Sequence, residues 1–138
     1  MLCALAFVLL AGVSPVETPF RVVVHRSNPV VAVTRAELSA MYMKRLRSWP
    51  GGEEIVPIDQ PARSSVREDF ARAIHGKSVA YVTRYWQRVI FSGRGVPPAE
   101  ARSSAAALAI VRTQRGAVAY IDARTPAGED VKVIAVTP

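Results

Sequence analysis

The sequence is poor in residues that bind metals or act as nucleophiles. Its single cysteine, Cys3, lies in an apolar run at the N-terminus, so no internal disulfide can form and no thiolate is available in the rest of the chain. There are only two histidines, His25 and His75, and neither has a carboxylate or a second histidine at metal-ligand spacing. We interpret both histidines as structural, and the sequence argues against a zinc site.

Acidic residues are also scarce. There are 11 Asp and Glu against 18 Lys and Arg, which gives a net charge of +7. This excess favours anionic partners, which include small anions, phospholipid surfaces and nucleic acid. A nucleophile, a base and an orienting acid do not occur together, and no close pair of carboxylates stands in a predicted cleft. We therefore expect a protein that is not an enzyme and that needs no cofactor.

The sequence has no apolar run long enough to span a bilayer. The apolar run Met1–Gly12 is shorter than the ~20 residues that a spanning helix needs. The small residues at its end are typical of a secretory signal, although the usual basic residues before the apolar core are absent. We interpret residues 1–19 as a signal-peptide-like leader and spacer, which predicts a periplasmic or secreted protein with no membrane span after cleavage. The alternative is a buried N-terminal helix.

The remaining residues, 20–138, have the composition and patterning of one globular domain. Half of the sequence is hydrophobic, and the predicted elements run strand, helix, strand, three helices and two strands. Helices between strands predict an α/β fold with a mixed sheet flanked by helices. Sheets of this kind bind ligands at the carboxyl ends of the strands, where helices begin.

One such place is the stretch 59–70. The short apolar segment 55–58 predicts a buried strand, and Pro61, which cannot donate a backbone hydrogen bond, marks the turn after it. Beyond the turn the sequence predicts a helix.

The start of that helix is the candidate ligand site. Ser64 or Ser65 can cap it, and Ser65 with Glu68 fits a capping box. Unpaired backbone N–H groups and the positive end of the helix dipole favour an anion here, and Arg63 and Arg67 flank the turn. The alternative is an ordinary capped surface helix with solvated arginines.

Two further segments carry charged or aromatic side chains. The predicted helix that begins after Ser78 has Tyr81, Tyr85 and Trp86 at helical spacing, and we interpret these three as core rather than as a ligand site. The loop 92–98 contains two glycines beside Arg94, which could offer backbone N–H groups and a second contact for an anion. The loop could equally do no more than turn the chain.

A basic cluster follows the first predicted helix, whose start carries the capping box Thr34–Glu37. Lys44, Arg45 and Arg47 lie near the helix end, where cations complement the dipole. With the nearby Trp49 they also suggest a nucleic-acid patch. No stacking platform surrounds them and the leader predicts export, so we expect no nucleic-acid partner.

Seven short motifs occur in order between about residue 20 and residue 136. They are Val22–His25 with Ser-Asn-Pro after it, Met-Lys-Arg-Leu-Arg-Ser-Trp, Ile-Val-Pro-Ile, Arg-Ser-Ser-Val-Arg-Glu-Asp-Phe, Tyr85–Trp86, Phe91–Gly95 and Arg115–Tyr120. In this order and spacing the chain resembles the phosphate-binding component of bacterial phosphate ABC transporters, and in particular its short, single-lobe relatives.

The resemblance implies a single lobe of the type 2 periplasmic binding protein fold. It also implies a site at the helix start, where family members have a Ser-Gly-Thr run preceded by an acidic residue. Ser64 matches the first position of the run, whereas Ser65 and Val66 match only through their backbone N–H groups. The glycine is absent, and Ala62 stands in place of the acid that would accept a proton from hydrogen phosphate.

Two hypotheses of function follow. The first is an exported protein that binds inorganic phosphate or another small anion, with a transporter or another envelope protein as a further partner. The second is a non-catalytic envelope interaction module that has lost its ligand. The residues predicted to bind the anion are Arg63, Ser64, Ser65, Val66, Arg67 and Arg94.

If the leader is cleaved on export, the protein isolated from its native host should lack the apolar run. Mass spectrometry should then find an N-terminus between about Val13 and Phe20, with cleavage expected near Gly12 to Ser14. Recovery of a chain that still begins with Met1 would contradict cleavage.

Overall fold

A six-stranded mixed sheet runs through the structure, a computed structural model that describes residues 18–138. The predicted leader lies almost wholly outside these residues, so its cleavage stays a prediction. The strands are β1 (Phe20–His25), β2 (Ala32–Thr34), β3 (Val56–Asp59), β4 (Ala99–Glu100), β5 (Ala117–Asp122) and β6 (Val131–Thr137). The helices are α1 (Arg35–Tyr42), α2 (Ser65–Phe70), α3 (Val79–Phe91) and α4 (Ser104–Thr113).

The strands lie in the order β2-β6-β1-β5-β3-β4. Strand β1 is antiparallel to both of its neighbours, β5 and β6, whereas β2 with β6, and β3 with β4 and β5, pair in parallel. The predicted mixed α/β sheet is therefore confirmed. Strands β2 and β4 were not predicted, because they have only three and two residues and are too short to show a hydrophobic period.

The central strands β1 and β5 bury both of their faces. Because side chains alternate across a strand, Val22 and Val24 point to the layer of α1 and α2, while Val23 points to the layer of α4. The same alternation puts Tyr120 in the first layer, where its ring stacks on Phe70 of α2 with centroids 3.9 Å apart. Helix α2 is thus fixed to the sheet by one of the best-buried side chains of the core.

Helix α2 does not end at Phe70 but continues through a π-helical segment, Ala71–His75, to Gly76 in the left-handed conformation. Glycine is common at this position, because it has no Cβ to strain the left-handed conformation. His75 is packed edge-on against Phe70, and its Nδ1 lies 2.8 Å from Ser39 Oγ of α1. Burial, and to a lesser extent Arg67, lowers the pKa of His75 to about 4, so this histidine is neutral in the folded protein and has a structural role.

The prediction that the aromatic residues of α3 form a core stripe is correct only in part. Trp86 is buried and Tyr85 is half-buried against it, but Tyr81 is 40% exposed. Helix α3 lies at the edge of the fold and buries only the narrow side that carries Val82 and Trp86. Tyr81 lies next to this buried side of the helix but is not covered by it, and the Lys77 ammonium lies 4.8 Å from the centroid of its ring.

A buried polar cluster lies at the carboxyl end of β3. The Asp59 carboxylate is 8% exposed and accepts hydrogen bonds from the Tyr120 hydroxyl and the Gln60 N–H, and Arg67 Nε lies 3.4 Å from its Oδ1. Burial raises the pKa of Asp59, and the Arg67 guanidinium acts against that rise. Burial and the neighbouring Asp59 raise the pKa of the Tyr120 hydroxyl, which therefore stays a hydrogen-bond donor.

The chain leaves α1 through a tight turn that places Lys44 in the left-handed conformation, with φ of 55°. The Lys44 N–H donates to Met41 O at 3.1 Å and the Arg45 N–H donates to Ala40 O at 2.8 Å. This is the Schellman pattern of helix ends, in which the left-handed position usually holds glycine because a Cβ is strained there.

Replacing Lys44 by glycine should therefore stabilise the fold. Relief of the left-handed strain should raise the free energy of unfolding by about 1 kcal/mol for Lys44→Gly, measured by denaturant titration. Lys44→Ala is the matched control, since it also removes the charge but keeps the Cβ, and it should show no such gain. Equal stabilities of the glycine and alanine variants would contradict the assignment of strain.

Removing the counter-ion of Asp59 should have a large cost. Arg67→Ala leaves a buried carboxylate without its counter-ion and should lower the free energy of unfolding by about 3–5 kcal/mol. The exposed neighbour Arg63 is the matched control, and Arg63→Ala should change stability by less than about 0.5 kcal/mol.

The deficit of Arg67→Ala should also depend on pH. A raised folded-state pKa gives stability that is present in acid and is lost as the pH rises through that pKa. Without Arg67 the pKa of Asp59 rises further, so the variant should lose more stability in mildly alkaline than in mildly acidic buffer. A deficit that is small, or equal at both pH values, would show that Asp59 does not depend on Arg67.

Candidate functional site

The start of α2 is a capped turn. The Ser64 hydroxyl donates to Pro61 O at 2.8 Å and accepts from the Arg67 N–H at 3.4 Å, so Ser64 is the N-cap and Ser65 is the first helical residue. The predicted capping box of Ser65 with Glu68 is therefore wrong by one position, because the residue three places after the true cap is Arg67.

The cap leaves part of the helix start open to a ligand. Ser65 is exposed, and among residues 18–138 its backbone N–H and that of Val66 have no hydrogen-bond acceptor. The Val66 side chain is buried, so Val66 can contribute only its N–H. The Ser64 hydroxyl is already engaged at the turn, and its role is to hold these N–H groups in place.

The three arginines that were predicted to bind the anion, Arg63, Arg67 and Arg94, lie in different surroundings. Arg67 points into the fold, where its Nη1 donates to Gln60 O at 2.8 Å and to Glu100 Oε2 at 3.2 Å, and its side chain is only 11% exposed. Arg63 is exposed at the turn. Arg94 lies in the loop after α3, in a different part of the surface, where its Nε donates to Ser92 Oγ at 2.8 Å.

A second helix starts beside the first. Ser103 caps α4, its hydroxyl accepting from the Ala106 N–H at 3.1 Å. The Ser104 hydroxyl accepts from Gln60 Nε2 at 3.0 Å and from the Asp122 N–H at 2.9 Å, which ties the start of α4 to the turn before α2. Neither Ser103 nor Ser104 was among the residues predicted to bind the anion.

A short repeat in the sequence indicates that the two helix starts are similar. Residues 62–65 and residues 101–104 both read Ala-Arg-Ser-Ser, and in both the first serine is the helix cap. The repeats follow β3 and β4, which are parallel neighbours with Ile58 opposite Ala99. Parallel strands end at the same edge of a sheet, so equal motifs after them bring two similar helix starts together.

The two helix starts open onto one shallow cleft of about 730 Å³. Its walls include Ser64, Ser65 and Val66 from the first repeat and Arg102, Ser103 and Ser104 from the second. The cleft thus combines two sets of helix N–H groups, both with the positive end of a helix dipole.

Side-chain charges in the cleft come from Arg102, Asp122 and Arg124. Arg124 donates to both oxygens of Asp122, at 3.1 Å from Nε to Oδ1 and 3.0 Å from Nη2 to Oδ2, and these bonds lower the pKa of Asp122 to about 2. Asp122 is therefore ionised and neutralised by its own arginine. Arg102 is exposed and forms no ion pair with residues 18–138, so it supplies the uncompensated positive charge.

Residues 18–138 contain neither a candidate membrane span nor a candidate metal site. No helix in this part of the chain is both long and apolar enough to cross a membrane. Within the same residues, no three His, Cys, Asp or Glu side chains lie close enough together to hold a metal ion.

Comparison with known proteins gives matches of fold only. No family model matches the chain, and no curated protein matches its sequence. Among solved structures, an ABC-type phosphate transport receptor from Vibrio cholerae is 20% identical with a TM-score of 0.68, over 86% of this chain and 46% of the receptor. A protein from Clostridium perfringens, described as a phosphate ABC transporter substrate-binding protein and solved with bound phosphate, is 17% identical with a TM-score of 0.66, over 86% of this chain and 44% of its own length.

At this level of identity the likeness establishes the fold. The chain spans less than half the length of these two proteins, as expected for one lobe of a two-lobe architecture. The fold predicted from the sequence motifs is confirmed: the chain is similar to phosphate ABC transporter substrate-binding proteins and has the fold of a single lobe of the type 2 periplasmic binding proteins.

Proposed function

We propose that the protein is an exported, non-catalytic binding protein for phosphate or a similar small anion, and that the cleft between α2 and α4 is its site. The observation that supports this most strongly is the pair of Ala-Arg-Ser-Ser turns, which bring two serine-capped helix starts to one cleft. Helix starts bind phosphate and sulfate through backbone N–H groups and the helix dipole. The likeness of fold to phosphate-binding proteins agrees with this choice of ligand.

In this proposal each residue of the first turn has a distinct role. Ser65 donates from its N–H and its hydroxyl, Val66 donates from its N–H, and Ser64 fixes the geometry of both. Arg67 acts indirectly, by holding the turn through Gln60 O and Asp59. Arg63 adds positive charge near the cleft without being part of its wall.

The second turn completes the site. The Ser104 N–H and the Ala105 N–H, which have no acceptor within the described chain, face the anion from α4. Arg102 supplies a guanidinium in the wall of the cleft, which the first turn does not, since Arg67 is engaged in the core and Arg63 lies outside the wall. The anion thus sits between two dipoles, each equivalent to roughly half a positive charge, and one guanidinium.

The cleft should bind weakly and with little selectivity between phosphate and sulfate. It is open to water, which screens the charges, so affinity should fall as salt rises. Ala62 offers no acceptor for the proton of hydrogen phosphate. The carboxylate of Asp122 lines the cleft, but both of its oxygens accept hydrogen bonds from Arg124.

Calorimetry with phosphate and with sulfate should detect binding of both anions, with similar affinity. Arg102→Gln should weaken binding roughly tenfold, the usual effect of losing one hydrogen bond to a charged group. Arg84→Gln is the matched control, because Arg84 is an exposed arginine of α3 outside the cleft. Absence of heat with either anion, or an equal loss in both variants, would overturn the proposed site.

The second candidate function is an envelope interaction module that has lost its ligand. It is favoured by three exposed apolar side chains, Ile90 and Phe91 in the last turn of α3 and Val96 in the loop after it, which are 51%, 91% and 65% exposed. Exposed apolar clusters often mark contacts with another protein. A protein that binds neither anion in calorimetry would make this candidate the better one.

A further inference from the structure

A second cavity lies on the surface that carries Arg94, outside the α2–α4 cleft. It has a volume of about 370 Å³ and is formed by the turn after α1, the last turns of α3 and the glycine loop. We propose that this cavity is a second binding site and that its ligand is an organic anion with at least two phosphate groups, of the type of a nucleoside diphosphate.

The first argument is charge. Lys44, Arg45, Arg47 and Arg94 all line the cavity, and no acidic residue does. In the part of the chain that the structure describes, none of these four cations forms a salt bridge. Four uncompensated positive charges around one cavity repel one another, and a ligand with several negative charges relieves that repulsion better than a single small anion.

The second argument is that two of the four cations, Arg47 and Arg94, are held by hydrogen bonds. The left-handed turn at Lys44 brings Lys44, Arg45 and Arg47 to the same wall, and Arg47 Nε donates to Lys44 O at 3.1 Å. Arg94, in the glycine loop, donates from Nε to Ser92 Oγ at 2.8 Å. Guanidinium groups with one N–H engaged and the others open are suited to phosphate oxygens.

The third argument is the apolar part of the wall. Trp86, Val89 and Val96 line the cavity beside the cations. Tyr85 also lines it, with its ring edge-on to Trp86 and the Arg45 guanidinium 6.0 Å from its centroid. A cavity of this size has room for both parts of the ligand. The cations can contact its phosphates, and the aromatic and apolar side chains can contact its organic group.

The two sites share no residue, so variants can separate them. Residues of the second cavity run from Met43 to Arg47 and from Tyr85 to Val96, whereas the cleft is built from residues 60–66 and 102–126. Failure of the cleft proposal would therefore leave the second site untouched, and the reverse also holds.

Intrinsic tryptophan fluorescence provides a local readout, since Trp86 lines the cavity. The only other tryptophan, Trp49, is buried with its indole N–H donating to Gly116 O at 3.0 Å. Titration of the full chain with ADP should change the emission, and the change should be lost in Trp86→Phe. AMP should bind roughly tenfold more weakly than ADP, since it offers one phosphate fewer.

Charge variants then test the assignment. Arg94→Gln and Arg47→Gln should each weaken ADP binding roughly tenfold, while Arg84→Gln on the exposed side of α3 should leave it within about twofold. Lys44→Ala and Lys44→Gly should both weaken binding, although only the glycine variant relieves backbone strain.

Each contrary result has a definite meaning. No fluorescence change with ADP, equal affinity for AMP and ADP, or an equal loss in Arg84→Gln and Arg94→Gln would overturn the proposal. Binding to phosphatidylglycerol vesicles without binding to soluble ADP would also overturn it, and would identify the surface as a membrane-docking face.

Discussion

The buried Asp59 carboxylate is the constraint on which the candidate site depends. It ends β3 below the turn and is held by the Tyr120 hydroxyl, the Gln60 N–H and the Arg67 guanidinium. A buried charge is tolerated only with such compensation, so the geometry of the turn is tied to the cost of burying Asp59. The turn at the start of α2 therefore cannot move away from β3 without breaking these contacts and leaving the Asp59 carboxylate buried without partners.

The same cluster connects both helix starts to the sheet. Gln60 Nε2 donates to Tyr120 O in β5 and to Ser104 Oγ at the beginning of α4, so one side chain links the two turns. Tyr120 in turn stacks on Phe70 and contacts Tyr42, whose hydroxyl donates to Ile58 O and Val118 O. The proposed anion site is thus supported by a polar network on one side and by aromatic packing on the other.

Much of the fold was predictable from the sequence, because local patterns decide it. The longer strands and helices follow the predicted order, and the predicted Thr34–Glu37 capping box opens α1. The short strands β2 and β4 were not predictable, since pairing of two or three residues is decided by their neighbours in space. The position of Tyr81 was missed because helical spacing indicates a shared side of a helix but not how much of that side is covered.

The site was predictable only in part, and for a related reason. The turn before α2 was found from its serines, but the inward direction of Arg67 depends on Asp59 and Glu100, which no local pattern reveals. Arg94 was predicted as a second contact because of its charge and the two glycines beside it, but it lines a different cavity, together with Lys44, Arg45 and Arg47. The second turn, before α4, has the same Ala-Arg-Ser-Ser sequence as the turn before α2. The repeat alone does not show that the two turns are neighbours, because that depends on the parallel pairing of β3 with β4.

The π-helical segment at the end of α2 has a consequence for how this helix can vary. A π-turn holds more residues than an α-turn, so it commonly corresponds to one residue inserted into an ordinary helix. Here the beginning of the helix is fixed by Asp59 and its end is fixed by the contact of His75 with Ser39. The widened turn absorbs the difference in register between these two anchors. Deletion of one residue between 71 and 75 would therefore close the helix into regular α geometry while both anchors, the start at Asp59 and the contact of His75 with Ser39, kept their positions.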